Sequence, residues 1–443
     1  MNITKICVLG LGYTGLPTAS TFATHGLRVV GVDNNPVIVE TLLNGGLHIY
    51  EPGLRTLVQA AIGSGNLVIS DRPEPADAFV IEVPTPFYPD KRADMRAVTS
   101  ATEAIVPYLQ HGNLVVLEST SPPMTTVNLL APILERSGLR AGRDFHLAYS
   151  PERVMPGQIL REIIENDRVI GGIDRASAEA GRDLFSIFVR GEIFLTDATT
   201  AEMVKLMENT YRDVNIALAN EFARLAERFG IDIWEAIPIA NRHPRVNILR
   251  PGAGVGGHCI SVDPWFLVEV APGLSPLIST ARGVNDGQPQ HVVELICRAA
   301  GSSPGGNELT GRRIAALGLA YKENVDDLRE SPAIEVAQLL AGSGALITAY
   351  EPNRVDAQLP GIETTPSLEA ALAKAEIIVL LVGHAELKNL NPEEILGITP
   401  ARILVDCVNG WNRPAWEQAG FRVYRLGDGS WQSSGVHGSK WGE

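Results

Sequence analysis

A glycine-rich turn near the start of the chain is the feature that most constrains the fold. Residues 10–15 read Gly-Leu-Gly-Tyr-Thr-Gly and follow the apolar, strand-like segment Ile6-Cys7-Val8-Leu9. A helix-like stretch then runs to His25, and a second strand-like segment ends at Val32. Glycines in this context allow a tight turn and let the backbone approach a pyrophosphate at a helix N-terminus. The pattern predicts the first β-α-β unit of a dinucleotide-binding, doubly wound domain.

Asp33 indicates which dinucleotide the turn binds. It follows the second strand-like segment, and its carboxylate would accept hydrogen bonds from a ribose hydroxyl and repel a 2′-phosphate. We therefore predict NAD rather than NADP. A turn with only a packing role is the alternative, but the complete strand-turn-helix context disfavours it. The candidate cofactor residues of this unit are Gly10, Gly12, Tyr13, Thr14, Gly15 and Asp33.

The rest of the chain repeats the alternation of strands and helices around one long helix. Strands are predicted at 78–81 and 114–117, and later at 313–318, 346–350, 377–381 and 403–406. The long helix begins near Thr199, with a capping box between Thr199 and Glu202, and ends near Gly230. We predict an α/β chain with two Rossmann-like doubly wound domains, joined by a central helical domain with a long connecting helix. A loop at 302–307 marks the second boundary, giving domains at 1–198, 199–301 and 308–430.

Charge and composition limit the partners. The formal net charge of −14 argues against nucleic acid or an anionic membrane as a partner, because both require basic surfaces. We find no signal-peptide pattern and no apolar run of the ~20 residues that span a bilayer. We therefore expect a cytoplasmic protein. The spacing of the four cysteines does not match a zinc site, so no metal is expected.

Cys259 differs from the other cysteines in its surroundings. Cys7, Cys297 and Cys407 lie in apolar strand-like or helix-like segments, where buried core thiols are expected. Cys259 instead follows a segment with four glycines in six positions, 252–257, which is expected to leave the backbone open to a ligand. A thiolate there would be a good nucleophile. From these residues alone, a nucleophile and a buried structural thiol remain equal alternatives.

The long helix carries a second candidate group. Lys205, Asn209 and Arg212 recur at i, i+4 and i+7 and so share one face. A solvated polar stripe is the usual explanation of such a face. A catalytic face becomes the better interpretation only together with the Cys259 loop.

Several motifs together resemble the UDP-glucose/GDP-mannose dehydrogenase family over nearly the whole chain. The matching segments are Gly10 to Pro17, Val83-Pro84-Thr85-Pro86, Glu118-Ser119-Thr120, Ser150 to Val154, Ala201 to Lys205, Gly256 to Cys259, and Asp326 to Pro332. The resemblance implies an NAD-dependent enzyme that oxidises a nucleotide-sugar alcohol to a carboxylate for polysaccharide biosynthesis. It also implies that the first domain binds NAD, the central domain forms a homodimer, and the C-terminal domain binds UDP.

The resemblance further implies roles for individual residues. Cys259 would attack an aldehyde intermediate, Lys205 would assist proton transfer, and Thr120, Glu152 and Asp263 would organise water. Thr85, Thr120 and Arg329 would complete the NAD site. The implied substrate-binding residues are Arg153, Val154, Lys205, Asn209, Arg212, His243, Arg245, Gly256 and Lys322. Arg245 is expected to act across the dimer interface.

Two segments indicate which sugar the substrate contains. Residues 241–247 and 258–266, including His258 and Ile260-Ser261-Val262, are similar to the branch of the family that oxidises UDP-N-acetyl-D-mannosamine. The UDP-glucose enzymes have an aromatic residue before the cysteine and Leu-Pro-Lys-Asp after it. UDP-N-acetyl-D-mannosamine is thus the predicted substrate, with UDP-glucose and UDP-N-acetylglucosamine as alternatives. A two-electron dehydrogenase of the 6-phosphogluconate type and a non-catalytic NAD-sensing module are further alternatives.

One segment departs from the family pattern. The family follows its Ser-Thr with a short proline-containing stretch that ends in glycine, whereas this chain has Ser121-Pro122-Pro123-Met124. We expect the missing glycine to reshape the loop that contains Thr120.

Overall fold

The computed structural model describes residues 3–257, 259–301 and 309–429. His258 and the predicted boundary loop at 302–307 lie outside the described residues. The chain forms two compact units, Met1–Glu208 with Trp265–Leu274, and Asn209–Pro264 with Ser275–Glu443. Each unit contains one sheet.

The first unit contains an eight-stranded sheet in the order β3-β2-β1-β4-β5-β6-β7-β8. Strand β7 runs antiparallel to β6, and all other neighbours are parallel. Its strands are β1 Lys5–Leu9, β2 Arg28–Val32, β3 Leu67–Ser70, β4 Ala78–Ile81, β5 Leu114–Leu117, β6 His146–Tyr149, β7 Arg168–Gly172 and β8 Ile193–Asp197.

Helices cover both faces of this sheet, which is why its central strands are apolar at every position. In β1, Ile6 and Val8 belong to one buried cluster, whereas Cys7 and Leu9 belong to another. Successive side chains of a strand point to opposite faces, so a strand covered on both sides has no polar face. The helices are α1 Gly15–Thr24, α2 Pro36–Leu43, α3 Leu54–Gly63, α4 Arg96–Ile105, α5 Ala131–Leu134, α6 Ile159–Glu165 and α7 Arg175–Phe185.

The second unit contains a six-stranded parallel sheet in the order β11-β10-β9-β12-β13-β14. This is the same order as that of the first six strands of the other sheet. Its strands are β9 Arg313–Leu317, β10 Leu346–Tyr350, β11 Glu363–Thr364, β12 Ile377–Leu380, β13 Ile403–Asp406 and β14 Arg422–Arg425. The prediction of two doubly wound sheets is confirmed.

Helices make up most of the chain between the two sheets. The longest, α8 Ala198–Phe229, contributes residues to both units and ends before Gly230, whose φ is 70°. No helix within the described ranges has the length and apolar character needed to span a bilayer. The remaining helices are α9 Ile233–Ala240, α10 Asp263–Val270, α11 Pro276–Asp286, α12 Gln288–Ala299, α13 Pro332–Gly342, α14 Leu368–Leu372, α15 Ala385–Lys388, α16 Pro392–Ile398 and α17 Arg413–Gln418.

The predicted capping box at the start of α8 is wrong. The Asp197 carboxylate accepts hydrogen bonds from the Thr200 N–H at 2.9 Å and the Thr200 hydroxyl at 2.5 Å, so Asp197 caps the helix. Glu202 turns away from the cap and binds the backbone of another loop, at Met124 and Thr126. A short-range capping pattern cannot reveal this long-range alternative.

The cap of α7 gives a direct test of local stability in the first unit. The Asp174 carboxylate accepts the Ser177 N–H at 2.7 Å. We expect Asp174→Ala to lower the free energy of unfolding by about 1 kcal/mol, because it leaves that donor without its side-chain acceptor. Asp174→Asn keeps an acceptor and should lose less than half as much. Urea unfolding measures both, and equal losses would contradict the capping role.

Candidate functional site

The turn between β1 and α1 contains two glycines that close packing requires and one glycine that faces open space. Gly10 has φ 97°, and a Cβ there would lie 2.3 Å from the Glu82 carbonyl oxygen. A Cβ on Gly15 would lie 1.9 Å from the Gly10 carbonyl oxygen. A Cβ on Gly12, by contrast, would meet no atom within 4 Å. The space beside Gly12 therefore fits the close approach of a pyrophosphate to the backbone.

Asp33 lies directly after β2 and is oriented by two backbone groups. Its Oδ2 accepts the Leu11 N–H at 3.0 Å, and its Oδ1 accepts the Asn35 N–H at 2.9 Å. A carboxylate has about four lone-pair positions, so it can still accept ribose hydroxyls. Half-buried Tyr13 and Thr14 complete the turn, and Thr14 precedes the first residue of α1. These residues fit a dinucleotide.

Ser119 joins the loops that carry Thr85 and Thr120. Its Oγ accepts the Val83 N–H at 2.9 Å and donates to the Val83 carbonyl at 2.8 Å. These loops follow the adjacent strands β4 and β5, and both threonines are half-buried. The structure therefore places Thr85 and Thr120 at the same edge of the sheet as the glycine turn.

Met124 explains how the loop after Thr120 closes without glycine. Its φ is 72°, in the left-handed region that glycine adopts at no steric cost. Buried Glu202 stabilises this conformation, because its Oε2 accepts the Met124 N–H at 2.6 Å and its Oε1 accepts the Thr126 N–H at 2.7 Å. Burial raises the pKa of Glu202. Methionine therefore takes the backbone conformation for which glycine is usually used.

Glu152 and Lys205 are brought together after β6. The Lys205 Nζ donates to the Glu152 carbonyl oxygen at 2.9 Å. The Glu152 carboxylate accepts the Arg153 N–H at 2.7 Å and a guanidinium N–H of Arg168 at 2.6 Å. Arg153 itself pairs with Glu208 at 2.8 Å, and Val154 packs against the apolar core. Lys205 is thus not part of a solvated stripe.

Sequence reasoning missed the neighbours that orient Glu152. Arg168, Glu118 and Glu82 are almost fully buried beside it, and Arg168 forms ion pairs with both Glu118 and Glu152. The sequence signal that could have revealed Glu82 and Glu118 is the position of each directly after a strand. Arg168 carried no such signal, because the reversal of β7 that brings it there depends on the tertiary structure.

In the second unit, Cys259 is half-buried, whereas the other three cysteines are buried as predicted. Burial raises the pKa of Cys7 to about 12 and raises that of Cys407 strongly. All four cysteines lie in the described residues, and none forms a disulfide. The Cys259 carbonyl accepts the Asp263 N–H at 2.8 Å, so the cysteine lies in the turn that opens α10. Solvent access distinguishes Cys259 as the reactive candidate.

Asp263 and Asn209 also meet in this unit. Asp263 is almost fully buried, and its Oδ2 accepts the Asn209 Nδ2–H at 2.5 Å. This bond fixes the first residue of α10 against α8.

The glycine segment before Cys259 is less open than predicted. A Cβ on Gly256 would lie 2.3 Å from the Glu330 carbonyl oxygen, and one on Gly257 would lie 2.8 Å from the Tyr321 ring. A Cβ on Gly254 would lie 2.8 Å from Pro332. The prediction of a backbone open to ligand was therefore wrong at three of the four glycines, where close packing explains the residue type. Only Gly252 of the four faces open space.

Lys322 interacts electrostatically with Cys259. Burial and the nearby Arg212 guanidinium lower the pKa of Lys322, while Asp327 and Cys259 act in the opposite direction. Because an electrostatic interaction is mutual, the charge of Lys322 attracts a negative charge on the Cys259 sulfur. Arg329 lies in the same segment and pairs with Asp327 at 2.7 Å.

His243 and Arg245 lie in an exposed segment after α9. The side chain of Asn241 closes this segment, because its Oδ1 accepts the Ile248 N–H at 2.7 Å and its Nδ2 donates to the Ile248 carbonyl at 2.9 Å. Arg245 therefore projects from a short, closed loop on the surface of the second unit.

Comparisons with known proteins agree with this arrangement. Three domain models of the UDP-glucose/GDP-mannose dehydrogenase family match the chain: the NAD binding domain at residues 4–189, the central domain at 199–287 and the UDP binding domain at 315–413. The chain therefore belongs to this family. It is an NAD-dependent UDP-sugar dehydrogenase, with NAD as its cofactor. The division at 1–198, 199–301 and 308–430 stays a prediction.

Individual relatives are similar over almost their whole lengths. A UDP-N-acetyl-D-mannosamine dehydrogenase from Methanocaldococcus jannaschii is 49% identical, covering 96% of this chain and 97% of the relative. An NDP-N-acetyl-D-galactosaminuronic acid dehydrogenase from Ralstonia nicotianae is 46% identical, covering 93% and 97%. A solved UDP-D-ManNAc dehydrogenase from Pyrococcus horikoshii is 40% identical with a TM-score of 0.88, covering 96% of this chain and all of that one.

Gly10 and Gly12 provide a matched pair of tests for the cofactor site. We expect Gly12→Ala to leave stability within about 0.5 kcal/mol of the unchanged protein, because its methyl group meets no protein atom. It should raise the KM for NAD by about tenfold or more, since it fills the space needed by the pyrophosphate. Gly10→Ala should instead lower the free energy of unfolding by about 2 kcal/mol or more. Normal NAD affinity in Gly12→Ala would contradict the assignment.

Met124 gives a test of backbone strain. We expect Met124→Gly to raise the free energy of unfolding by about 0.5 kcal/mol, since the left-handed penalty exceeds the extra chain entropy of glycine. Met124→Val should lower it by at least about 1 kcal/mol, because a β-branched side chain tolerates this conformation poorly. Chemical unfolding measures both changes. The reverse order would show that the Met124 side chain, rather than its backbone, determines stability here.

Proposed function

We propose that this UDP-sugar dehydrogenase oxidises the C6 alcohol of UDP-N-acetyl-D-mannosamine to the uronic acid through a covalent intermediate on Cys259. The observation that carries the proposal is the half-buried Cys259 thiol, which interacts electrostatically with Lys322, in a chain whose other cysteines are buried. The names of the relatives and the sequence at 241–247 and 260–262 support the N-acetylated sugar.

The first unit holds the cofactor in this proposal. The backbone at Gly10, Gly12, Tyr13, Thr14 and Gly15 receives the pyrophosphate, and Asp33 accepts from the ribose. Thr85 and Thr120 contact the remainder of the dinucleotide, and Arg329, a residue of the second unit, is proposed as a further cofactor contact. Bound there, NAD would supply the hydride acceptor for each of the two oxidations at C6, so one sugar would consume two NAD.

Lys205 assists the first oxidation as a hydrogen-bond donor to the C6 oxygen, whose hydroxyl proton passes to water. An ammonium group has three donors, and the bond to the Glu152 carbonyl uses only one. The remaining donors can stabilise the oxyanion that develops at C6. The bond to Glu152 fixes the direction of the side chain.

Cys259 retains the aldehyde for the second oxidation. The thiolate sulfur adds to the aldehyde carbon, and the oxygen takes up a proton to give a thiohemiacetal. Oxidation at that carbon, with loss of the hydroxyl proton, leaves a thioester. Water then adds to the thioester carbon, the carbon–sulfur bond breaks, and the uronic acid and the Cys259 thiol are released.

Thr120, Glu152 and Asp263 are proposed to orient this water. Glu152 is ion-paired with Arg168, so it serves as a carboxylate acceptor for the water. Asp263 already accepts from Asn209, which limits the directions in which its carboxylate can accept a further bond.

The proposed substrate-binding residues include positively charged side chains and several uncharged residues. Arg153, Arg212, His243, Arg245 and Lys322 supply positive charge or hydrogen-bond donors for the diphosphate and sugar. Val154, Lys205, Asn209 and Gly256 complete the set. We further propose a homodimer in the cytoplasm, in which the exposed Arg245 acts on the substrate of the partner subunit.

The NADH yield per mole of sugar tests the reaction and the substrate together. We expect two equivalents from UDP-N-acetyl-D-mannosamine and little NADH from UDP-glucose or UDP-N-acetylglucosamine. Cys259→Ala should reduce uronic acid formation by at least about a thousandfold, because it removes the nucleophile. Cys297→Ala, in the core and away from the proposed residues, should keep its activity within about twofold.

The outcomes separate the parts of the proposal. Two equivalents from another UDP-sugar alone would change the substrate but keep the mechanism. A single equivalent, or normal uronic acid formation by Cys259→Ala, would exclude the thioester route.

A further inference from the structure

Three glutamates, of which Glu82 and Glu118 are buried and Glu152 is half-buried, meet at the edge of the sheet that carries the glycine turn. Glu82 directly follows β4, Glu118 directly follows β5, and Glu152 is the third residue after β6. One carboxylate oxygen of each lies within 4.8 Å of the others. Because β7 runs antiparallel to β6, its first residue, Arg168, lies at this same edge. Continuing the β6–β7 register places Arg168 opposite residue 152.

Arg168 supplies the positive charge of this cluster. It forms an ion pair with Glu118, donates to Glu152 at 2.6 Å, and donates to the Ser150 hydroxyl at 3.0 Å. Its guanidinium carbon, Cζ, lies over the Phe185 ring, 4.2 Å from the ring centroid. A planar guanidinium can make these bonds at fixed angles, whereas the single ammonium of lysine cannot. Arg168 therefore occupies the position between Glu118 and Glu152 where a metal ion would otherwise bind.

Among the residues that the structure describes, no cation forms an ion pair with the third carboxyl group, that of Glu82. Its Oε1 accepts only a long hydrogen bond, 3.5 Å from the Thr18 hydroxyl. Within the described residues, Glu82 Oε2 and Glu118 Oε2 are both buried and have no donor. Burial, then the Glu118 carboxylate and, more weakly, that of Glu152 raise the pKa of Glu82 well above its usual range, and Arg168 opposes them only in part. A proton is the missing partner of these oxygens.

We propose that Arg168 is a positioning residue that orients Glu152 and, through the Glu152 carbonyl, Lys205, and that Glu82 is a neutral carboxylic acid hydrogen-bonded to Glu118. The first part rests on the proposed function, because it takes Glu152 and Lys205 to act on the substrate. The second part depends only on the buried cluster.

The neutral state of Glu82 also suits the cofactor site. A Cβ on Gly15 would lie 3.0 Å from Glu82 Oε2, so this carboxyl group lies directly beneath the glycine turn. A negative charge there would repel a bound pyrophosphate through a poorly screened interior. A proton on Glu82 removes that repulsion and keeps the hydrogen bond to Glu118.

Two isosteric variants test the proton without using activity. A raised pKa in the folded state means that Glu82 favours folding below its unfolded-state pKa, and that this contribution is lost as the pH rises toward the folded-state pKa. Glu82→Gln removes the dependence, so its Tm relative to the unchanged protein should rise by at least about 2 °C between pH 5 and pH 8. Glu118→Gln removes the carboxylate that pairs with buried Arg168. It should therefore lower Tm by at least about 5 °C at both pH values.

A Tm difference for Glu82→Gln that stays constant, or that falls as the pH rises, would show that Glu82 is ionised in the folded protein and would overturn this part. Glu118→Gln with an unchanged Tm would show that the pair with Arg168 is not formed.

Steady-state kinetics of Arg168→Lys test the positioning role. Lysine keeps the charge but loses the fork that fixes Glu152, so kcat should fall by at least about tenfold, with the KM values for NAD and UDP-sugar within about twofold. Arg175→Lys, which changes an exposed ion pair on α7, is the matched control and should change neither constant. An unchanged kcat, or equal rises in both KM values at constant kcat, would overturn the role of Arg168.

Intact mass during turnover separates this result from the proposed function. With a slowed hydrolysis step, Arg168→Lys should accumulate an acyl group on Cys259, which Cys259→Ala cannot carry. A fall in kcat without the acyl group, together with one NADH per sugar, would refute the thioester route while keeping the positioning role. Normal kcat with two NADH per sugar would refute only the positioning role.

Discussion

The parallel strands of a sheet all end at the same edge, and this constraint places the chemistry of the first unit. The glycine turn follows β1, Asp33 follows β2, and the loops with Thr85 and Thr120 follow β4 and β5. Side chains that are far apart in sequence therefore meet without any long loop. Strand β7 runs antiparallel to β6 and adds a cation that the strand ends alone would not supply, because its first residue, Arg168, lies at the edge where β6 ends.

The two sheets have the same strand order, but the turn after the first strand leaves space for a ligand only in the first unit. In the first unit, Leu11 N–H binds Asp33, and the following Gly12 faces open space. In the second, Leu319 N–H binds Glu351 at 2.6 Å after a comparable turn at Gly318, whose φ is 82°. The second turn continues with Ala320, whose N–H also binds Glu351. The extra bond and the added methyl group leave no equivalent of the space beside Gly12.

Glu351 differs from Asp33 in its partner as well. His384 lies 3.0 Å from the Glu351 carboxylate, and this contact, with the backbone donors, holds the pKa of Glu351 below its usual range. A carboxylate already bound in this way is a poor acceptor for a ribose. The dinucleotide site of this dehydrogenase accordingly belongs to the first unit, where the NAD binding domain is matched. The second unit instead uses the segment after its turn, at Tyr321 and Glu330, to pack against the glycines before Cys259.

The sequence by itself determined the class of fold and the residue types of the site. Apolar strands in alternation with helices predict doubly wound sheets, since local patterns reflect burial on both faces. The glycine turn and Asp33 could also be predicted, because these residues lie close together in the sequence and form a local pattern. Tertiary structure alone decided that Glu202 supports Met124, that Arg168 reaches Glu152, and that Gly256 is needed for packing. Each of these contacts joins residues distant in sequence, so no local periodicity contains it.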